Sequence, residues 1–231
     1  MIEDSLSKRK HVMHYDTEII PTESEIKEIL EIGYSLATSK AKAYPYKFYV
    51  LGPNAERSMS LWNLAEGNKI QVDINALGPT GAVYRSNPGL LHLVTAPYTM
   101  IVTPRTTKPN EYYRKTFRYT NSYWQLDDPE FVNKNNREAC AIEIGMIAKT
   151  ITGAALDRGW DTSYNVCFPK PLEQWVDFPY LDFSPALMQT IGKGKNYFYE
   201  VIPNSWAADN VAPPFEDVFQ FVDKDNLCTN K

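Results

Sequence analysis

Two stretches of this chain carry apolar residues at helical spacing, and shorter runs rich in β-branched and aromatic residues read as strands. In the first stretch Ile26, Ile29, Leu30, Gly33 and Leu36 share one face. Thr22 with Glu25 forms a capping-box pattern just after Pro21, so the spacing predicts a helix over 22–37. The second stretch, 137–157, is apolar over much of its circumference: Ala139, Ile142, Ile144, Ile147, Ala148, Ile151, Ala154 and Ala155. A helix of that kind belongs at the centre of a fold, as buried core or at a subunit interface. Gly145 and Gly153 leave room for another helix to approach.

The run Tyr46-Lys47-Phe48-Tyr49-Val50-Leu51, closed by Gly52-Pro53, predicts a first strand. Residues 99–103 predict a second and 186–191 a third, ended by Gly192-Lys193-Gly194-Lys195; 197–202 is a candidate fourth. A short helix is expected over 57–66, and the Gly- and Pro-punctuated chain after it reads as loop with a short strand or helix inside. Residues 104–136 set Tyr112, Tyr113, Phe117, Tyr119, Tyr123 and Trp124 among Arg105, Arg114, Lys115 and Arg118. They read as a surface excursion with partial helix, or as a mobile cover over a site. Pro213-Pro214 introduces a last apolar segment, 215–222. Helices and strands follow one another without a βαβ rhythm, and no low-complexity linker divides the chain. One α+β domain over 1–231 is expected, with a mostly antiparallel central sheet flanked by helices and a C-terminal extension over 203–231.

With 43% hydrophobic and 23% charged residues, the composition is that of an ordinary globular protein. A net charge of -4 counts against nucleic-acid binding as the main activity, because that needs a basic surface to displace counterions. The aromatic and basic segment 105–124 keeps a base-stacking or protein-binding module as a minor alternative. Cys140, Cys167 and Cys228 are widely spaced with no CxxC, which fits a reducing cytosol rather than a disulfide framework or zinc site. No apolar run is long enough to span a bilayer, and Met1-Ile2-Glu3-Asp4 lacks the apolar core of a secretion signal. A cytoplasmic protein without a membrane partner is expected.

The sequence holds no GxSxG, HExxH or GxxxxGK[ST], and no GxGxxG with an acidic residue at the expected distance. Three histidines, His11, His14 and His92, are too few and too unsupported to predict a metal. An enzyme built on this chain therefore needs a cofactor to supply the chemistry. Its candidate grip is Lys8-Arg9-Lys10-His11, three cations and an imidazole in four residues. Arg offers a planar donor fork and Lys a point charge, both suited to a phosphate. The plainer reading is a solvated basic N-terminus.

The run Lys8-Arg9-Lys10-His11-Val12-Met13-His14-Tyr15-Asp16 resembles the N-terminal box of nitroreductase-type FMN flavoenzymes. Thr38-Ser39-Lys40-Ala41-Lys42-Ala43-Tyr44-Pro45-Tyr46-Lys47-Phe48 is similar to their Ser-Ser-x-Asn-x-Gln-Pro-Trp-x-Phe segment. The helix 138–157 with Asp157-Arg158-Gly159-Trp160-Asp161 resembles their central helix and its Gly-Leu turn. The order matches over most of the chain. It departs at His11 (usually Ser), Met13 (usually basic), Lys42 (usually Asn) and Tyr44 (usually Gln).

The resemblance implies a nitroreductase-like fold in a domain-swapped homodimer, with helix 138–157 at the interface and two subunits sharing each flavin site. It implies that Arg9, Lys10 and His11 grip the FMN phosphate, joined by Lys193 and Lys195; a solvated turn is the bland reading of that pair. Ser39, Lys40 and Lys42 would reach the ring, with Lys40 or Lys42 balancing charge on the reduced flavin. Tyr164, Asn165, Val166 and Cys167 would line it, presenting a backbone N–H to flavin N5. No side chain is implied as catalytic, since N5 does the chemistry. The implied activity is an FMN-dependent NAD(P)H oxidoreductase reducing a nitroaromatic, quinone or enone by ping-pong hydride transfer. The substituted ring contacts motivate an alternative, a non-catalytic flavin- or anion-binding descendant of the fold.

Overall fold

Thr22 caps the first long helix as its sequence predicts. Its hydroxyl oxygen accepts the Glu25 N–H at 3.2 Å, and Glu25 Oε2 accepts the Thr22 N–H at 2.8 Å, which satisfies two donors the helix start leaves open. The computed structural model describes residues 6, 8–39, 44–53, 91–105, 137–166, 168, 171–197, 213–214 and 218. Lys40, Lys42, Cys167, the expected helix 57–66, the excursion beyond Arg105, segment 198–202 and all of 215–222 but Val218 lie outside the described residues. The chain divides into two compact units, Met1–Phe198 and Tyr199–Lys231, and all the elements below belong to the first.

In chain order these are β1 (Val12–Tyr15), α1 (Glu23–Leu36), β2 (Tyr46–Leu51), α2 (Leu91–Thr95), β3 (Tyr98–Pro104), α3 (Arg137–Asp157), β4 (Asp161–Asn165), a 3-10 turn (Leu172–Gln174), β5 (Leu187–Gly192) and β6 (Gly194–Tyr197). Strands β2-β3-β5-β4 form an antiparallel sheet in that order. β1 and β6 pair antiparallel in a second, two-stranded sheet. Among the described residues no helix is long and apolar enough to cross a membrane.

The core lies between the four-stranded sheet and the α1/α3 pair. Met100, Val102 and Ile191 come from the sheet, Ile26 and Ile29 from α1, and Ile144, Ile147, Ile151 and Ala155 from α3. Burying each large aliphatic chain contributes about 1.5–3 kcal/mol. Helices α1 and α3 meet at Gly33, where an added Cβ would stand 2.5 Å from Ile151 Cγ1 and 3.1 Å from its Cα. The close helix approach is therefore made by the glycine of α1. Gly145 and Gly153 of α3 face open space within the described chain, with nothing within 4 Å of the Cβ position.

α3 ends where the sequence places a turn. Gly159 takes φ +77°, a conformation costly for other residues. Trp160 N–H donates to Ala155 O and Gly159 N–H to Leu156 O, both at 3.0 Å, which is a Schellman closure. The chain then turns directly into β4.

Two expectations need correction. The third strand does end in Gly192-Lys193-Gly194-Lys195, β5 stopping at Gly192, but the next strand, β6, starts already at Gly194 and not at Tyr197, because β1 pairs with it. Of the candidate strand 197–202 only Tyr197 lies among the described residues, as the last residue of β6. Leu36, assigned to the inner face of α1, is 51% exposed, since the last turn of the helix overhangs the core. β1 and β4 carry no period-2 signal. All four residues of β1 are buried, and the polar β4 buries Thr162, Ser163 and Asn165 with hydrogen-bonding partners in reach.

Candidate anion and cofactor site

The basic N-terminal run enters β1 and is carried across to β4. The Arg9 guanidinium lies over the Tyr164 ring, 5.0 Å from its centroid. Tyr164 is fixed from the other side, its hydroxyl donating to Ala148 O at 3.1 Å and contacting the Thr152 hydroxyl. Gln189 Nε2 donates to the same two groups, Ala148 O and Thr152 Oγ1, at 3.1 Å each. Burial pushes the Tyr164 hydroxyl pKa up, opposed by Thr152 and by the Arg9 charge. This polar layer between α3 and β4/β5 holds Tyr164 as a rigid platform under Arg9.

The other cations converge along the β1–β6 pair. Lys10 Nζ sits 4.5 Å from the Tyr197 ring centroid. His11 stacks edge-on to His92, with centroids 6.5 Å apart. Burial lowers the His11 pKa, and Arg9 lowers it further. Burial likewise lowers that of His14, with Lys195 as the second cause. His14 Nδ1 and Asn196 Nδ2 are 3.3 Å apart across the pair. Arg9, Lys10 and His11 thus enter at the Val12/Tyr197 end of the small sheet, and Lys195 lies further along it as the electrostatic neighbour of His14.

The two lysines of the turn part company. Lys193 Nζ donates to Gly159 O at 3.1 Å, at the carbonyl end of α3, where a cation offsets the helix dipole. Lys195 stays with the histidine strand. Downstream, Asn165 is buried and Val166 is 57% exposed. Ser39 stands in a separate network: its hydroxyl donates to Glu143 Oε2 at 2.6 Å and accepts the Tyr44 N–H at 2.7 Å.

Tyr44 itself has φ +45°, unusual for a residue with a side chain. Ser39 pins its N–H, Arg105 Nε donates to its carbonyl at 2.7 Å, and its ring packs on Tyr34 with centroids 4.9 Å apart. Tyr34, Tyr44, Tyr46, Phe48 and Arg105 help line a cavity of about 300 Å³. A second cavity, about 750 Å³, lies between α1 and β2 beside Glu23, Lys27, Val50 and Tyr98. Neither cavity is lined by the basic cluster.

A phosphate-bearing group fits the cluster. Arg9 Nε is buried and has no hydrogen-bond partner among the described residues. A buried donor left open costs about 1–3 kcal/mol, and an oxyanion would satisfy it with a charge-assisted bond. The sequence reading missed Asp161, Tyr197 and His14. Their signal is weak: an acid just past a helix-ending glycine, a tyrosine two residues after a lysine, and a histidine three after the first.

No protein-family model matches the sequence, and no curated protein sequence does. Solved structures do match. A protein assigned as an NAD(P)H:FMN oxidoreductase from Staphylococcus epidermidis is similar at 19% identity and TM-score 0.61, covering 96% of each chain. A protein assigned to the nitroreductases, solved with FMN, from Exiguobacterium sibiricum is similar at 16% identity and TM-score 0.62, over 96% of this chain and 97% of that one. The gut-bacterial enone reductase CLA-ER is similar at 12% identity and TM-score 0.60, over 96% and 98%. The chain has the nitroreductase α+β fold.

Proposed function

We propose that this chain of nitroreductase fold binds FMN, with the phosphate among Arg9, Lys10, His11 and Lys195, and acts as an NAD(P)H-dependent oxidoreductase on electron-poor small molecules. The observation that carries the reading is the buried, open Arg9 Nε at the point where the N-terminal cations meet β4 and β6. FMN, when bound, supplies hydride exchange between a nicotinamide and an acceptor such as a nitroaromatic, quinone or enone. The names of the similar proteins agree with that class: one is an NAD(P)H:FMN oxidoreductase by assignment and one an enone reductase.

The residues then divide the work. Arg9 offers its fork to the phosphate while Tyr164 holds the guanidinium in place. Lys10 and Lys195 add point charges from either strand of the small sheet. Tyr164, Asn165, Val166 and Cys167 would border the ring, and Lys40 and Lys42 would stabilise negative charge developing there. Lys193 is assigned to helix capping rather than to the phosphate.

Two copies would complete the site. On α3, Ile142 is 66% and Met146 44% exposed, flanked by Gly145, which supports a small apolar face for a second α3. Light scattering coupled to gel filtration would give twice the chain mass.

A second reading is a flavin or anion binder without turnover. Tyr44 favours it, because it replaces a polar ring contact and is committed to Tyr34, Ser39 and Arg105. The visible spectrum of the isolated protein decides between the two. Flavin bands that bleach with NADH or NADPH support the enzyme; bands that persist with both support the binder; absence of flavin on reconstitution defeats the enzyme and leaves only an anion binder.

A further inference from the structure

We infer that Asp161 is a positioning residue for the anion site, fixing Lys195 through the backbone of β6 and Lys10 through the Tyr197 ring. The inference rests on reading the basic cluster as a phosphate site. Asp161 opens β4 immediately after the Schellman turn of α3. Its Oδ2 accepts the Gly194 N–H at 2.9 Å and the Tyr197 hydroxyl at 3.3 Å. Those bonds hold the first and last residues of β6, the strand that carries Lys195 between them.

The second arm runs through Tyr197. Its ring lies beneath the Lys10 ammonium at 4.5 Å, and its hydroxyl ends on the same carboxylate. One acidic group thereby sets two cations that come from opposite ends of the unit's sequence. The contact is close: an added Cβ at 194 would stand 2.9 Å from Asp161 Oδ2 and 2.8 Å from Tyr197 Cε1, so a larger residue there would push these side chains aside. Lys193 reinforces the arrangement from the neighbouring position, tying the start of β6 to Gly159 O, while Asp16 N–H donates to Lys193 O at 2.7 Å.

The physical need is plain. Cations gathered for an oxyanion repel one another before it arrives, and flexible lysines lose rotamer freedom when it binds. A fixed carboxylate behind them offsets the repulsion and preorganises the strand. Being anionic, Asp161 itself gains nothing from touching phosphate; it acts through Gly194, Tyr197 and their neighbours.

The test compares FMN with riboflavin, which lacks the phosphate, on flavin-free protein by fluorescence titration. Inorganic phosphate is titrated in parallel, followed through the backbone amide shifts of Lys10, His11 and Lys195. Asp161→Ala should weaken FMN and inorganic phosphate about tenfold, the scale of one charge-assisted hydrogen bond, while leaving riboflavin unchanged. Asp161→Asn should recover part of the loss, because its amide oxygen still accepts the Gly194 N–H. Tyr197→Phe removes only the hydroxyl bond, should keep the fold, and should weaken the phosphate ligands roughly threefold. Equal losses for FMN and riboflavin, or no loss of phosphate in the Asp161→Ala and Tyr197→Phe variants, would overturn the inference. A wild-type chain that binds phosphate but neither flavin ends the proposed function and leaves this inference to the phosphate titration. One that binds no phosphate and no FMN ends both.

Discussion

Arg9 and Tyr164 meet face to charge, the guanidinium 5.0 Å from the ring centroid, and this contact joins the entry to β1 with the strand that leaves α3. Because Tyr164 is anchored to Thr152 and Ala148 O, the cation rests on a surface that α3 itself fixes. The Arg9 Nε stays buried without a hydrogen-bond partner among the described residues, so the contact positions the donor without using it.

Arg9→Ala should therefore lower FMN affinity by roughly 10- to 100-fold, the range for losing a hydrogen bond to a charged group. Arg9→Lys should recover only part, since it restores charge without the planar fork. Equilibrium titration of flavin-free protein measures both; unchanged binding in Arg9→Ala removes Arg9 from the site.

The two lysines flanking Gly194 should separate by assay. Lys193→Ala loses the bond to Gly159 O and should cost about 0.3–1 kcal/mol of stability, with FMN affinity nearly retained. Lys195→Ala should do the reverse. Thermal melts and flavin titrations on both variants give a two-by-two comparison, and a flavin defect confined to Lys193→Ala would invert the assignment.

Gly33→Ala should destabilise the fold by about 1–3 kcal/mol despite the better helix propensity of alanine. The new methyl would meet Ile151 backbone as well as side chain, leaving no flexible end to move aside. Pairing it with Ile151→Ala, which removes the Cγ1 nearest the new methyl, should cost less in urea denaturation than the two single changes added together. A neutral Gly33→Ala would show that the helices shift apart freely.

Stability of the flavin-free protein should rise with pH around the histidine range. His11 and His14 both have lowered pKa values, first through burial and then through Arg9 and Lys195 respectively. The unfolded chain then binds more protons than the folded one, so stability increases with pH there. It is fully present above the ordinary value of 6.5 and is lost as pH falls through the lowered folded values. Melting temperatures from pH 5 to 8 in wild type and in His11→Gln/His14→Gln should show the slope in the first and flatten it in the second.

The sequence by itself determined the elements whose signals are local. Thr22 and Glu25 cap α1, Gly52-Pro53 closes β2, and Gly159 ends α3, because capping and turn geometry depend on a few adjacent residues. It also located the basic N-terminal run and, by resemblance, the nitroreductase fold that the solved structures share. Tertiary structure alone decided the rest. β1 and β6 exist because they pair with each other, β4 is a polar strand because Thr152 of α3 meets its Thr162 and Tyr164 hydroxyls and Thr190 of β5 donates to the Ser163 carbonyl, and Lys193 parts from Lys195 because Gly159 O lies within its reach. Such choices depend on partners distant in sequence, and the free energy of pairing with them leaves no mark on neighbouring residues.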